Sequence, residues 1–244
     1  MAKQIDADSG YFVPTLNSMG YMTRTVDDPF TKEFLDFCKS VKGPVLEIGA
    51  AFGVATLEAL KLGVQVYCND LDPRHLEVVK DQATESQRNN LLLLPGEFPE
   101  KIDLNENCLD AILAIRIVHF LNGETLNDGF KKMHRWLKPG GRVFIATETP
   151  WMRNFKKLGH QFQTRIDSKM PWPGWINTRE FESGDHAAQL PEFMHLMVPE
   201  TLSQFALQAG FRVLKCEYFA RPKFPTTIQL DGRESVGLVA EKTI

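Results

Sequence analysis

Several absences narrow what this chain can be. Basic residues do not outnumber acidic ones: 28 Lys and Arg stand against 31 Asp and Glu, a formal charge of −3. Nucleic acid is held largely through phosphate neutralisation, so this balance argues against it as the partner. No stretch approaches the roughly 20 consecutive apolar residues of a membrane-spanning helix. The opening residues, Met1-Ala2-Lys3-Gln4-Ile5-Asp6, lack the apolar core of a secretory signal. Cysteines are few. Cys38, Cys68, Cys108 and Cys216 lie far apart and form no CxxC pair, which points to free thiols in a reducing, cytoplasmic setting. The six histidines form no HxxxH or similar ligand pair, so no metal site is expected. Internal repeats and low-complexity tracts are missing too.

What remains is an ordinary globular composition, 43% hydrophobic and 24% charged, in a length that fits one α/β domain, because single cores stop growing near about 250–300 residues. A helical pattern follows Asp28-Pro29 through Phe30, Phe34 and Cys38. Then strands and helices alternate. Short apolar strands are predicted over 44–48, 64–68, 91–94, 109–114 and 142–147, with helices over 54–62, 73–88 and 125–137 between them. Such βαβ units imply a mostly parallel sheet with helices on both faces. After a helix beginning at Pro199, two strands over 211–219 and 235–240 are joined by a connection too short for a crossover, so they should form an antiparallel pair. The expectation is a seven-stranded sheet in one domain over 1–244. It carries an irregular N-terminal arm over 1–27 and a lid-like insertion over 150–198, where the period is lost.

The first strand ends in Glu47-Ile48-Gly49-Ala50-Ala51-Phe52-Gly53 and enters a helix. A glycine-containing turn at a helix start lets a ligand approach the backbone. The dinucleotide fingerprint G-x-G-x-x-G needs a third glycine, which is missing here, so a nicotinamide or flavin is disfavoured. The run from Val45 to Gly53 resembles motif I of class I S-adenosylmethionine-dependent methyltransferases, with Ala51 in place of the central glycine. Further matches follow in order. Asp70 ends the second strand, and Leu71 continues it. Leu93-Leu94-Pro95-Gly96-Glu97-Phe98 follows the third. Asp110 through Leu121 covers the fourth, and Leu137-Lys138-Pro139-Gly140-Gly141 turns into the fifth. The stretch from Met194 to Leu202 and Ala209-Gly210-Phe211 resembles the family's C-terminal region.

The resemblance implies S-adenosylmethionine as cofactor, with named roles. Glu47, Gly49, Ala50 and Gly53 would form the loop around the methionine end. Asp70 would accept both ribose hydroxyls, and Leu71 would contact the adenine. Glu97 would meet the adenine amino group and Phe98 would cover the ring. Ile115 and Arg116 fall at the strand-four exit, where open α/β sheets bind ligands. Arg116 could also hold an anionic substrate. Tyr21 and Arg24, on the arm, could reach the methionine carboxylate. His119 and His195 are the candidate bases.

Methyl transfer from a sulfonium chiefly needs positioning and a dry site. The signature of exocyclic-amine nucleic-acid enzymes is absent after strand four, where the chain reads Ala114-Ile115-Arg116-Ile117. The insertion holds Trp151, Trp172 and Trp175 beside Arg153, Lys156, Lys157, Arg165 and Lys169. Such a mixture suits an aromatic lid over a small substrate, and equally a solvated charged face beneath a hydrophobic cap; a surface that stacks bases is disfavoured by the net acidic charge. The expected function is O- or N-methylation of a small molecule. The alternatives are a methyltransferase acting on RNA or protein, and a non-catalytic cofactor-binding protein. The oligomeric state is not legible.

Overall fold

The computed structural model describes residues 11–17, 19–181 and 190–243. Strand β1 (Phe12–Pro14) pairs antiparallel with β2 (Tyr21–Thr23), so the arm expected to be irregular contains a small hairpin. Helix α1 (Pro29–Cys38) starts where Asp28 Oδ1 accepts from the Thr31 N–H at 2.8 Å, with proline in the first turn.

The main sheet then builds as expected. Strands β3 (Val45–Ile48), β4 (Val66–Asp70), β5 (Leu91–Pro95), β6 (Leu109–Ile115) and β7 (Leu137–Glu148) are followed, after the insertion, by β10 (Phe211–Phe219) and β11 (Ser235–Lys242). The seven lie in the order β10-β11-β7-β6-β3-β4-β5. Pairing is parallel from β7 to β5, and β11 is antiparallel to both β7 and β10.

Strict alternation in the central strands feeds two cores, because successive side chains point to opposite faces. Val45, Ala111, Leu113, Phe144 and Ala146 pack with Phe30 and Phe34 of α1 and with Ala55 and Ala59 of α2 (Val54–Lys61). Leu46, Ile112, Ala114, Val143 and Ile145 pack on the other face against Phe130, Met133 and Trp136 of α5 (Gly123–Trp136). Leu202 and Phe205 of α8 (Pro199–Gln208) join that second core.

The helix expected over 73–88 is broken. Helix α3 (Pro73–Gln82) stops because Ala83 is extended, and Thr84 caps the short α4 (Glu85–Arg88) with a reciprocal Thr84–Gln87 pair. The insertion has its own order as well. It contains α6 (Lys156–Asp167), β8 (Trp175–Asn177), α7 (Thr178–Phe181) and β9 (Phe193–His195), with β8 and β9 paired antiparallel. Met152, Phe155, Leu158, Phe162, Ile176 and Met194 form a separate small core beneath it.

Candidate active site

The carboxyl ends of the central strands are held in register: Ile48 lies opposite Asn69 and Ala114, and Ile115 opposite Ala146. The sheet reverses its order between β3 and β6, which opens a crevice at those ends. A cavity of about 330 Å³ occupies it.

The loop after β3 forms one wall. Gly49 has φ +67°, and a Cβ there would come within 2.6 Å of the Ile117 side chain, so both conformation and space demand glycine. Ala51 stands in the left-handed region at φ +46°, where a residue with a Cβ is strained. Its N–H donates to Asp70 Oδ2 at 2.8 Å, which offsets that strain. Gly53 also has a positive φ and starts α2, but it packs on Val79 and does not line the cavity.

Glu47 is buried at the cavity wall. Its Oε2 accepts from the Thr56 N–H at 2.8 Å and from Thr56 Oγ1 at 2.5 Å. Burial pushes its pKa up to about 7, against the two Thr56 hydrogen bonds and with help from the neighbouring Asp70 charge.

Asp70 is heavily engaged. Oδ1 accepts from the Asp72 N–H and faces His75 Nδ1, both at 2.9 Å, while Oδ2 takes the Ala51 N–H. A carboxylate offers about four acceptor positions, so roughly one remains. Without displacing a partner, Asp70 therefore accommodates one ribose hydroxyl where the sequence suggested two.

Leu71, Glu97, Phe98 and Ile115 also line the cavity. Glu97 is half-exposed and pairs with Lys101 at 3.2 Å. Phe98 turns largely into the core, edge-on to Trp136 and against Gly129.

Arg116 has φ +57° and donates from Nε to Glu148 at 2.7 Å and from Nη1 to the Tyr21 carbonyl at 3.0 Å. Its guanidinium lies 5.6 Å from the ring centres of both Phe12 and Phe224. It is thus a strut between the sheet and the arm hairpin, and its donors are partly spent. Glu148, at the end of β7, is fully buried, which works to raise its pKa. Arg116, Arg221 and His119 outweigh that burial and hold it below the ordinary value. His119 lines the cavity with Nδ1 3.1 Å from Thr147 Oγ1. Burial drives its pKa down to about 4, so the ring is neutral near pH 7.

The other candidate base lies elsewhere. His195 sits between Trp175 and Phe205 with Nδ1 3.1 Å from the Leu121 carbonyl, and it lines a separate small cleft with Trp172. Tyr21 lines the main cavity, but Arg24 does not.

The three tryptophans of the insertion are not cavity walls either. Trp151 donates to Tyr218 Oη at 3.0 Å, Trp172 packs on Gly123, and Trp175 stacks on Phe193. Met152, Phe155 and Met194 line the cavity from that side, with Phe120 and Phe224. Sequence reading missed Glu148, Phe224 and His75. Glu148 had a usable signal, a polar run Thr147-Glu148-Thr149 at a strand's carboxyl end. Phe224 sits in a loop with no motif around it, and His75 follows the Asp70-Leu71 match on a helix where nothing in the sequence singles it out. Among the described residues no cluster of His, Cys, Asp or Glu could hold a metal ion, and no helix is long and apolar enough to cross a membrane.

Residues 45–141 match the family model described as a methyltransferase domain. This segment is similar to a methyltransferase domain, and the sheet around it has the fold of solved S-adenosylmethionine-dependent methyltransferases. Among curated proteins, the chain is 25% identical over 101 residues to phosphoethanolamine N-methyltransferase 1 of Triticum aestivum, covering 41% of this chain and 20% of that one. It is 31% identical over 104 residues to a probable cobalt-precorrin-6B C(15)-methyltransferase (decarboxylating) of Sulfurisphaera tokodaii, covering 41% and 50%. The match thus spans half or less of these relatives' length. Solved structures share the fold over more of the chain. A methyltransferase from Methanosarcina mazei gives a TM-score of 0.63 at 13% identity, covering 83% of this chain and 93% of that one. One from Mesorhizobium loti gives 0.62 at 18%, covering 88% and 99%. The glycopeptide N-methyltransferase MtfA with bound S-adenosylmethionine gives 0.56 at 16%, covering 86% of each.

Proposed function

We propose that this protein transfers a methyl group from S-adenosylmethionine to a nucleophilic oxygen or nitrogen of a small, largely apolar molecule. The observation that carries this reading is the single cavity in which the motif loops and the insertion meet: Glu47, Gly49 and Asp70 on one side, Met152, Phe155 and Met194 on the other.

The residues fit the cofactor. Gly49 keeps the loop backbone accessible, Asp70 has an acceptor position for a ribose hydroxyl, and Leu71, Phe98 and Ile115 offer apolar contact for a base. Both Thr56 bonds fall on one oxygen of Glu47, which leaves the other for an ammonium group. When bound, the cofactor supplies an electrophilic methyl carbon and its own leaving group. The chain's task is then to orient the acceptor and keep water out. The apolar side chains of the insertion serve that task, with residues 150–198 acting as a lid on a single domain. Of the two histidines, His119 is the one we assign to take a proton from the acceptor, because it lines the cavity. His195 is set aside as a base because it faces the other cleft.

Three cations of the insertion are engaged by the chain's own groups, which favours a small molecule over RNA. Arg153 donates to the Thr226 and Gln229 carbonyls, Arg165 to those of Pro173 and Trp175, and Lys157 lies over the Phe181 ring. The four cysteines are free thiols, in keeping with a cytoplasmic setting.

Titration calorimetry with S-adenosylhomocysteine tests the cofactor. Asp70→Ala should weaken binding by about 10- to 100-fold, the worth of a hydrogen bond to a charged group. A wild-type protein that ignores the ligand at millimolar concentration sinks the reading. Incubation of cell extract with methyl-labelled cofactor tests the acceptor. Label should appear in the small-molecule fraction, and label confined to RNA or protein overturns that part.

A further inference from the structure

One buried ring joins the N-terminal arm to the carboxylate that ends β4, and this link has consequences for ligand binding. His75 lies in the first turn of α3 and is 1% exposed. Its Nε2 is 3.0 Å from the Leu16 backbone nitrogen. An amide N–H only donates, so Nε2 accepts, and the ring proton of this neutral tautomer belongs on Nδ1. Nδ1 therefore donates to Asp70 Oδ1 at 2.9 Å. Both nitrogens are committed, one to the arm and one to the carboxylate that ends β4. The neighbouring Arg74 holds the carbonyl of the same residue, with Nη2 donating to Leu16 O at 3.1 Å. The Phe52 ring of the motif loop meets the imidazole edge-on at 5.3 Å.

We infer that His75 is a positioning residue that couples closure of the arm to the carboxylate of Asp70, so that a nucleoside ligand engaging Asp70 and the hairpin over 11–24 stabilise one another. This rests on the cofactor reading above. An imidazole is rigid, so a ligand that fixes the Asp70 carboxylate also fixes the direction of the acceptor offered to Leu16. Thr15, Asn17 and Tyr21 of the arm wall the same cavity, so the arm reports on and contributes to the ligand's enclosure. Coupling of this kind is reciprocal: a closed arm raises ligand affinity by the same factor by which ligand favours closure.

The test uses the whole chain and S-adenosylhomocysteine, read by calorimetry and by hydrogen exchange of peptides over 11–24. In the wild type, ligand should slow exchange of the arm amides by about tenfold, the scale of one hydrogen bond. His75→Asn keeps a donor near the Nδ1 position and loses the Nε2 acceptor. It should bind several-fold more weakly, and the ligand should no longer slow the arm. Leu16→Pro removes the N–H, together with the leucine side chain and the freedom of φ, at an exposed position outside both cores, and should give the same loss if His75→Asn fails to fold. His75→Gln keeps an acceptor near Nε2 but gives up the Nδ1 donor to Asp70, so the arm should stay anchored while the ligand no longer slows its exchange. A merely structural histidine would lower thermal stability while leaving ligand-induced slowing intact in the folded variants, and that result overturns the coupling. Absence of binding by the wild type overturns the cofactor reading and the coupling with it. Binding that is unchanged in the variants, with the arm still slowed, overturns the coupling alone.

Discussion

The floor and the roof of the cavity are built by different means. The floor comes from loops at the ends of β3, β4, β5 and β6, and its backbone positions are set by sheet register. The roof comes from the arm hairpin and from residues 150–181 and 190–198, whose side chains meet through apolar packing and a few polar ties. A one-residue slip in a strand would turn its side chains to the wrong face, so the floor tolerates little variation. The roof has no such ruler. The family model accordingly covers the floor, residues 45–141, and ends before the insertion.

The largest expected effect is at the joint between the two. Glu148→Ala removes the counter-charge of Arg116 and leaves a largely buried guanidinium, which for pairs of this type costs about 3 kcal/mol. At this chain length the thermal midpoint should fall by about 6–12 °C. Calorimetry checks this, and an unchanged midpoint would mean that the ion pair does not hold roof to floor.

An intermediate effect belongs to the floor alone. The Glu47 pKa is raised to about 7 from an ordinary 4.5, so the empty folded protein holds a proton there that an ammonium ligand prefers to expel. From this group alone, stability is greatest below pH 4.5 and declines as pH rises toward 7. Ligand affinity has the opposite sense. S-adenosylhomocysteine binding should weaken by about tenfold between pH 8 and pH 6, and Glu47→Gln should flatten that dependence. A wild-type affinity constant across this range, measured by titration calorimetry, would remove Glu47 from the ligand's ammonium site.

The smallest effect probes the floor's strain. Ala51→Gly relieves a left-handed conformation at the cost of chain entropy and should stabilise the fold by about 0.5–1 kcal/mol. Thermal unfolding reads the sign directly; a loss of stability would show that the Ala51 side chain gains more from its packing than the backbone loses.

Legibility follows the same division. Short apolar runs between helical segments announced the strands, and the missing third glycine with Asp70 announced the cofactor class. The arm hairpin and α6 were illegible because their few apolar residues share no period: β1 and β2 are three residues each. The tryptophans misled for a physical reason. A large aromatic stabilises wherever it is buried, so Trp151, Trp172 and Trp175 could serve the lid's own packing and its flank as well as they could wall a substrate. His195 misled similarly: it closely follows the cavity residue Met194, and adjacent strand residues face opposite ways.

The sequence by itself determined the seven-stranded sheet and its motif loops, because hydrophobic period and turn chemistry are local and written in order along the chain. Tertiary structure decided which polar groups meet. Arg116 with Glu148, His119 with Thr147 and His75 with Leu16 lie 32, 28 and 59 residues apart. Nothing local selects such partners. They are chosen by the folding of arm and insertion onto strand ends, where a buried polar group must find a hydrogen bond.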